Sequence, residues 1–180
     1  MGFEDLVYLW TNGVASRKTS RINIEEGAYL YKLVRSLTNP LIVEIGTRMG
    51  GTTKLLQEAN AFGTVISIDL NADVKTELDK DRVSLLCCDS TEIKFDRPVD
   101  LLFIDGDHYL KGVKADWDNW HSLVKPGGHI IFHDCYLKSK KEYQTVIDLI
   151  TELKENCTIG KEYIEQPSVA SLCHLVRSKV

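Results

Sequence analysis

Five short runs of apolar, β-favouring residues recur along the chain, at 41–45, 64–69, 83–88, 99–104 and 128–133. They are close to continuous rather than alternating, as strands are when helices cover both faces of a parallel sheet. Stretches of helical period lie between them. Asn23-x-x-Glu26 has the form of an N-cap with a reciprocal glutamate, and opens a helix to about Leu37 whose apolar stripe is Leu30, Leu33, Val34 and Leu37. Thr52 to Ala59 predicts a second helix. Val113, Trp117, Trp120 and Val124 share one face of a third, stopped by Lys-Pro-Gly-Gly at 125–128. Ser139-x-x-Glu142 opens a fourth, with Tyr143, Val146, Ile147 and Ile150 inward. Two last apolar stretches, Thr158 to Ile164 and Ser168 to Val176, predict an antiparallel strand pair. The alternation predicts an α/β fold: a doubly wound, mostly parallel sheet with right-handed crossovers and an antiparallel pair at its C-terminal end. Ligands of such sheets bind beyond the carboxyl ends of the strands. One domain over residues 1–180 is expected, with 1–22 as an N-terminal cap segment and 23–180 as the core.

Composition narrows the classes. With 180 residues, 43% hydrophobic, and a formal net charge of -4, the chain is neither disordered nor a sequence-independent nucleic-acid binder, which needs a basic face. Acids follow Met1-Gly2 where a secretory signal carries bases, no long apolar run follows, and Leu6 stands where a myristoylation signal needs a hydroxyl. No membrane partner and a cytoplasmic location are therefore expected. The five cysteines, without a Cys-x-x-Cys pair, fit a reducing compartment, and most read as small buried hydrophobes.

The carboxylates carry the chemistry. Asp69, Asp89, Asp105 and Asp134 each close one of strands two to five, and Glu44 lies near the end of strand one, so five acids are expected along one border of the sheet. The first turn, Glu44 to Thr53, holds Gly46, Gly50 and Gly51, which let backbone approach a ligand, and a helix N-terminus follows. It is not the dinucleotide fingerprint, because Arg48 stands at the middle glycine, and it lacks the Gly-Lys-Ser/Thr of a phosphate-binding loop. Asp69 is suited to ribose hydroxyls. A carboxylate near Gly46 suits a ligand ammonium.

These residues resemble a family. Glu44-x-Gly46-x-x-x-Gly50, the strand-ending Asp69, the Asp89-Ser90 pair and Leu123-x-x-Pro126-Gly-Gly128 are similar to the class I S-adenosylmethionine-dependent methyltransferases over about residues 23–176. The gapped glycine turn with Thr52 after it resembles metal-dependent O-methyltransferases of the catechol type. Phe103 to Tyr109, with Phe132-His133-Asp134, resembles the small sugar and macrolide group of macrocin and mycinamicin types.

The resemblance implies a Rossmann-like methyltransferase fold and a set of roles. Gly46, Thr47 and Gly50 would line the methionine and ribose portion of S-adenosylmethionine, with Glu44 and Thr52 nearby. Asp69, assisted by Asn71, would take the ribose hydroxyls, and Asp89 and Ser90 the adenine edge, although Ser90 also suits a helix cap. Asp105 and Asp134 match the family's metal carboxylates, and Asp105 borders the cofactor as well. Two adjacent acids repel unless a cation or proton separates them, and hard oxygen ligands favour Mg²⁺ or Ca²⁺, with Mg²⁺ the ion expected. His133 stands where relatives often carry an acid and would join the metal set or pack at the strand end; Asp107 is an alternative ligand. His108, three residues after Asp105, matches the general base. The function implied is metal-assisted O-methylation of a small hydroxylated acceptor such as a sugar or natural product. The alternatives are a cofactor- or partner-binding module without chemistry and, less favoured, a nicotinamide-dependent oxidoreductase. A homo-oligomer in which a neighbour supplies a lid stays open. His121, His129 and His174 read as structural, Trp117 and Trp120 as core, Lys138, Lys140 and Lys141 as a solvated run, and Arg17, Lys18 and Arg21 as part of the cap segment.

Overall fold

The computed structural model describes residues 2–11, 19–135 and 144–179. The expected capping box at Ser139 and Glu142, Tyr143, the lysines 138, 140 and 141, Arg17 and Lys18 lie outside the described residues. Seven strands form one sheet: β1 (Leu41–Ile45), β2 (Thr64–Asp69), β3 (Val83–Cys87), β4 (Val99–Ile104), β5 (Val124–Phe132), β6 (Tyr163–Glu165) and β7 (Cys173–Arg177). Their order is β3-β2-β1-β4-β5-β7-β6. The first five pair in parallel, and β7 runs antiparallel to both β5 and β6. The winding reverses between β1 and β4, where a crevice opens at the strand ends in sheets of this kind.

Alternation along the strands divides the core into two layers. Val43, Ile45, Ile66, Ile68, Leu102, Ile104, Ile130 and Phe132 pack on α3 (Leu110–Trp120) and α4 (Val146–Glu155), through Val113, Trp117, Leu149 and Leu153. Ile42, Val65, Leu101, Phe103 and Ile131 pack on α1 (Ile24–Ser36) and α2 (Gly51–Ala59), through Leu30, Val34, Leu55 and Leu56. The Asn23 cap forms as its spacing requires: Asn23 Oδ1 accepts from Glu26 N–H, and Glu26 Oε2 accepts from Asn23 N–H. The 3₁₀ segment Phe3–Leu9 adds fully buried Leu6 and Leu9 to the second layer.

Several boundaries differ from the expectation. The third helix ends at Trp120, a 3₁₀ turn spans His121–Leu123, and Val124 already belongs to β5, paired with Val99 before a shift in register. The fourth begins at Val146, with Thr145 and Asp148 forming its capping box. Thr158–Lys161 is a broken helical turn rather than a strand, with Gly160 at φ 109°, so the antiparallel pair is shorter than expected. The β2–β3 crossover carries no helix, which leaves Leu85 on the edge strand 45% exposed, against the expectation that both faces of every strand are covered. Cys135 and Cys173 are buried, whereas Cys88 is half-buried and Cys87 and Cys157 are exposed, so most cysteines are not core residues. No helix among the described residues is long and apolar enough to cross a membrane.

Candidate active site

Strand register sets the site. Ile45, Ile68, Ile104 and Phe132 stand in one paired row, so Gly46, Asp69, Asp105 and His133 come next at one level of the sheet's border. Gly46 turns there with φ 102°, and a Cβ on it would collide with the Asp105 carbonyl oxygen. Only glycine lets the β1 and β4 ends approach so closely. Over this border lies a cavity of about 870 Å³, within the range of roughly 300–1,000 Å³ typical of small-molecule sites.

Most of the residues expected at the cofactor line that cavity: Gly46, Thr47, Thr52, Asp69, Asn71, Asp89, Ser90 and Asp105. Asp69 is oriented by its own turn, with Oδ2 accepting from Arg48 N–H at 2.7 Å and Oδ1 from Asn71 N–H at 2.7 Å. A carboxylate has about four acceptor positions, so capacity for two ligand hydroxyls remains. Asp89, not Ser90, caps the following 3₁₀ turn, accepting from Thr91 N–H at 2.9 Å. The hydroxyl of Ser90 is bonded instead to Asp116 Oδ1.

Two expected residues lie elsewhere. Glu44 sits one residue before the end of β1, on the face covered by α2, so alternation turns it between helix and sheet rather than off the border. It is fully buried; Thr53 Oγ1 donates to its Oε2 at 2.5 Å, Ser67 Oγ donates to the same oxygen, and Oε1 has no partner among the described residues. Burial pushes its carboxyl up to about 8. Gly50 is the left-handed N-cap of α2 at φ 78°, set behind the cavity wall, whereas Gly51 lines it.

The acids of β4 and β5 meet two histidines. His108 Nδ1 lies 2.9 Å from Asp134 Oδ2, and its Nε2 lies 3.9 Å from Asp105 Oδ1. The Asp134 hydrogen bond raises the pKa of His108, although burial opposes it. The hydrogen bonds of His108 and His133 hold Asp134 well below the usual carboxylate range. Asp134 is a non-glycine residue at φ 59°, a conformation that aspartate tolerates better than most. Asp105, His108 and Asp134 offer three ligand atoms within 4.8 Å of one another. His133 does not join them. Its Nδ1 lies 3.0 Å from Asp105 Oδ1 and its Nε2 3.2 Å from Glu26 Oε2. Burial works against its charge, but Asp105, Asp134 and Glu26 together push its pKa up to about 12. His133 thus faces Glu26 as well as the aspartates, apart from the three-residue cluster. Asp107 accepts from Tyr109 N–H and is exposed at the cavity mouth.

Sequence reasoning missed Glu26 and Asp116. Glu26 is legible as a helix cap, yet its carboxylate also accepts from Ser171 N–H at 2.8 Å, from Ser171 Oγ at 2.5 Å and from His133. Asp116 lies on α3 and is 6% exposed. No local motif marks either role. Thr19, Arg21 and Lys111 also line the cavity.

A family model described as "Methyltransferase domain" matches residues 43–135, from β1 through the end of β5. The chain belongs to this family. The matched part of this methyltransferase domain spans the glycine turn, Asp69, Asp105, His108 and Asp134. The chain is 23% identical over 148 residues to malonyl-[acyl-carrier protein] O-methyltransferase of Priestia megaterium (strain DSM 319 / IMG 1521), a match covering 73% of this chain and 51% of that protein. It spans about half the length of that relative. Among solved structures, it resembles the MycE methyltransferase of the mycinamycin biosynthetic pathway, bound to Mg and SAH, with a TM-score of 0.71 at 15% identity, covering 98% of this chain and 54% of the other. It also resembles an O-methyltransferase from Bacillus cereus in complex with SAH, with a TM-score of 0.63 at 18% identity, covering 98% and 90% of the two chains. At these identities the likeness is one of fold.

Proposed function

We propose that this methyltransferase domain transfers a methyl group from S-adenosylmethionine to a hydroxyl oxygen of a small acceptor such as a sugar or natural product, assisted by a divalent cation. The observation that carries the reading is the meeting of His108 with Asp105 and Asp134 on the wall of the cavity that Gly46 and Asp69 also line. The cavity fits the cofactor on its own chemistry: a glycine cradle, a carboxylate with free acceptor capacity for a ribose, and an acidic border suited to a sulfonium. Gly46, Thr47 and Thr52 would hold the methionine portion, Asp69 and Asn71 the ribose, and Asp89 and Ser90 the base.

The two carboxylates also fit a hard divalent ion such as Mg²⁺, with Asp105 and Asp134 as its principal ligands and His108 beside them. The ion would lower the pKa of the acceptor hydroxyl and orient it. His108 supplies the proton acceptor. Paired with Asp134, it is a stronger base than a free imidazole, and it stands half-exposed where an acceptor enters. As the acceptor oxygen bonds to the methyl carbon, the carbon–sulfur bond breaks, sulfur keeps the electron pair, and the hydroxyl proton passes to His108.

Calorimetry with S-adenosylhomocysteine tests the reading. Saturable binding is expected, and no heat or thermal shift at millimolar ligand would overturn it. Mn²⁺ titrated alone, followed by its paramagnetic relaxation signal, is expected to bind the wild type and not Asp134→Asn; equal binding to both would remove the cation site.

A further inference from the structure

The end of β5 and the start of β7 meet at a pair of thiols. Phe132 stands opposite Cys173, the first residue of β7, and both belong to the core layer packed on α3 and α4. Beyond Phe132 the chain turns through Asp134 at φ 59°, and Cys135 N–H then donates to the Ser171 carbonyl at 2.9 Å. That turn brings Cys135 back over the start of β7. Its sulfur lies 3.5 Å from the carbonyl oxygen of Phe132, the residue paired with Cys173. The two thiols share a hydrogen bond.

Both cysteines are free and buried. Cys173 nonetheless stands at an open end of the sheet: β6 stops at Glu165, opposite Leu175, so among the described residues only β5 pairs with Cys173. Glu165 Oε1 lies 3.9 Å from the Cys173 sulfur and offers an acceptor for the thiol proton. A disulfide needs its sulfurs at roughly 2.05 Å, and two thiols already in hydrogen-bonded contact reach that separation with a small shift.

We propose that Cys135 and Cys173 form a reversible oxidation site, a dithiol that a peroxide closes into a disulfide stapling the start of β7 to the turn that carries Asp134. A peroxide oxygen adds to the Cys173 sulfur as the O–O bond breaks, and the thiol proton leaves with the displaced hydroxide as water. The Cys135 sulfur then displaces hydroxide from that sulfenic acid, and its own proton completes a second water. Two thiols are oxidised and one hydrogen peroxide is reduced to two waters. Because both sulfurs are buried, the reaction is slow beside that of exposed thiols and proceeds through opening of the free end of the seam. The bond fastens Cys135, next to Asp134, to a residue two positions after the Ser171 that holds Glu26. It closes a loop of about 40 residues and so restricts the unfolded chain.

The test oxidises the full chain with hydrogen peroxide in a variant that carries Cys87→Ser, Cys88→Ser and Cys157→Ser. A mass loss of about 2 Da, a peptide linking Cys135 to Cys173 and a melting temperature raised by about 5–10 °C are expected, all reversed by dithiothreitol. Adding Cys173→Ala should abolish the rise. Wild-type chain whose exposed thiols are first blocked with N-ethylmaleimide gives the same readings if the triple variant does not fold. Oxygen added to either sulfur without a link, no reaction, a linked chain that melts no higher, or an equal rise in the Cys173→Ala chain overturns the inference. None of these outcomes touches the methyltransferase reading, which the staple does not use.

Discussion

Nε2 of His133 lies 3.2 Å from Oε2 of Glu26, which ties the first turn of α1 to the end of β5 beneath the candidate active site. Helix α1 thereby supplies a counter-charge to the His133 ring, whose Nδ1 lies 3.0 Å from Asp105 Oδ1 and 3.4 Å from Asp134 Oδ2.

Removing that counter-charge has a measurable cost. Glu26→Ala leaves a buried cation partly unpaired and is expected to lower stability by about 3–5 kcal/mol in urea melts at pH 7. The acid limb adds a second reading. Hydrogen bonds from His133, Ser171 and Asn23 overcome burial and hold Glu26 at about 2 rather than 4.5. Its contribution is complete above about pH 4.5 and declines as pH falls toward 2, so Glu26→Gln should flatten the stability profile in that window.

Glu44 has the opposite sign. Its folded pKa is raised from 4.5 to about 8 by burial, so stability is full below about pH 4.5 and declines as pH rises to 8. Glu44→Gln, which keeps the shape without the charge, should be relatively more stable at pH 8.5 than at pH 5, and should leave S-adenosylhomocysteine affinity unchanged. Denaturant midpoints at the two pH values check the first outcome and calorimetry the second.

A neutral chain of rings lies behind the site. His129 Nδ1 and His174 Nε2 are 2.9 Å apart, and His174 Nδ1 is 2.6 Å from the Tyr29 hydroxyl. Burial lowers His174 to about 4. The unfolded chain takes up that proton near pH 6.5 and the folded one does not, so stability should fall from about pH 6.5 to 4, by up to about 1.4 kcal/mol per pH unit. His174→Gln should remove that component of the slope, measured by urea melts in acetate and MES buffers.

His108→Ala is expected to lower turnover by about 10²–10⁴-fold while cofactor affinity changes little. Steady-state rates beside calorimetry separate the two quantities, and unchanged turnover removes the base assignment.

Much of this site could be read from the chain because parallel strands end in one row. Asp69, Asp105 and Asp134 follow short apolar runs, so a local pattern sufficed to bring them to one border. Glu44 turns away from the border because strand alternation, not nearness to the strand end, decides where a side chain points. Glu26 and His133 are 107 residues apart, and Ser171 is 145 residues from Glu26. No local period encodes such encounters. Asp116 hides in an amphipathic helix as one more acid, and only the docking of α3 on the Ser90 turn buries it.

The two bonds from Ser171 to Glu26 set the order in which the protein can lose its competence. Ser171 sits just before β7, whose antiparallel pairing with β5 holds it in place. Fraying of that one seam would release Glu26, then the ring of His133, and the aspartates would spring apart while the parallel strands stayed whole. Wherever that seam opens before the parallel strands do, inactivation would precede global melting.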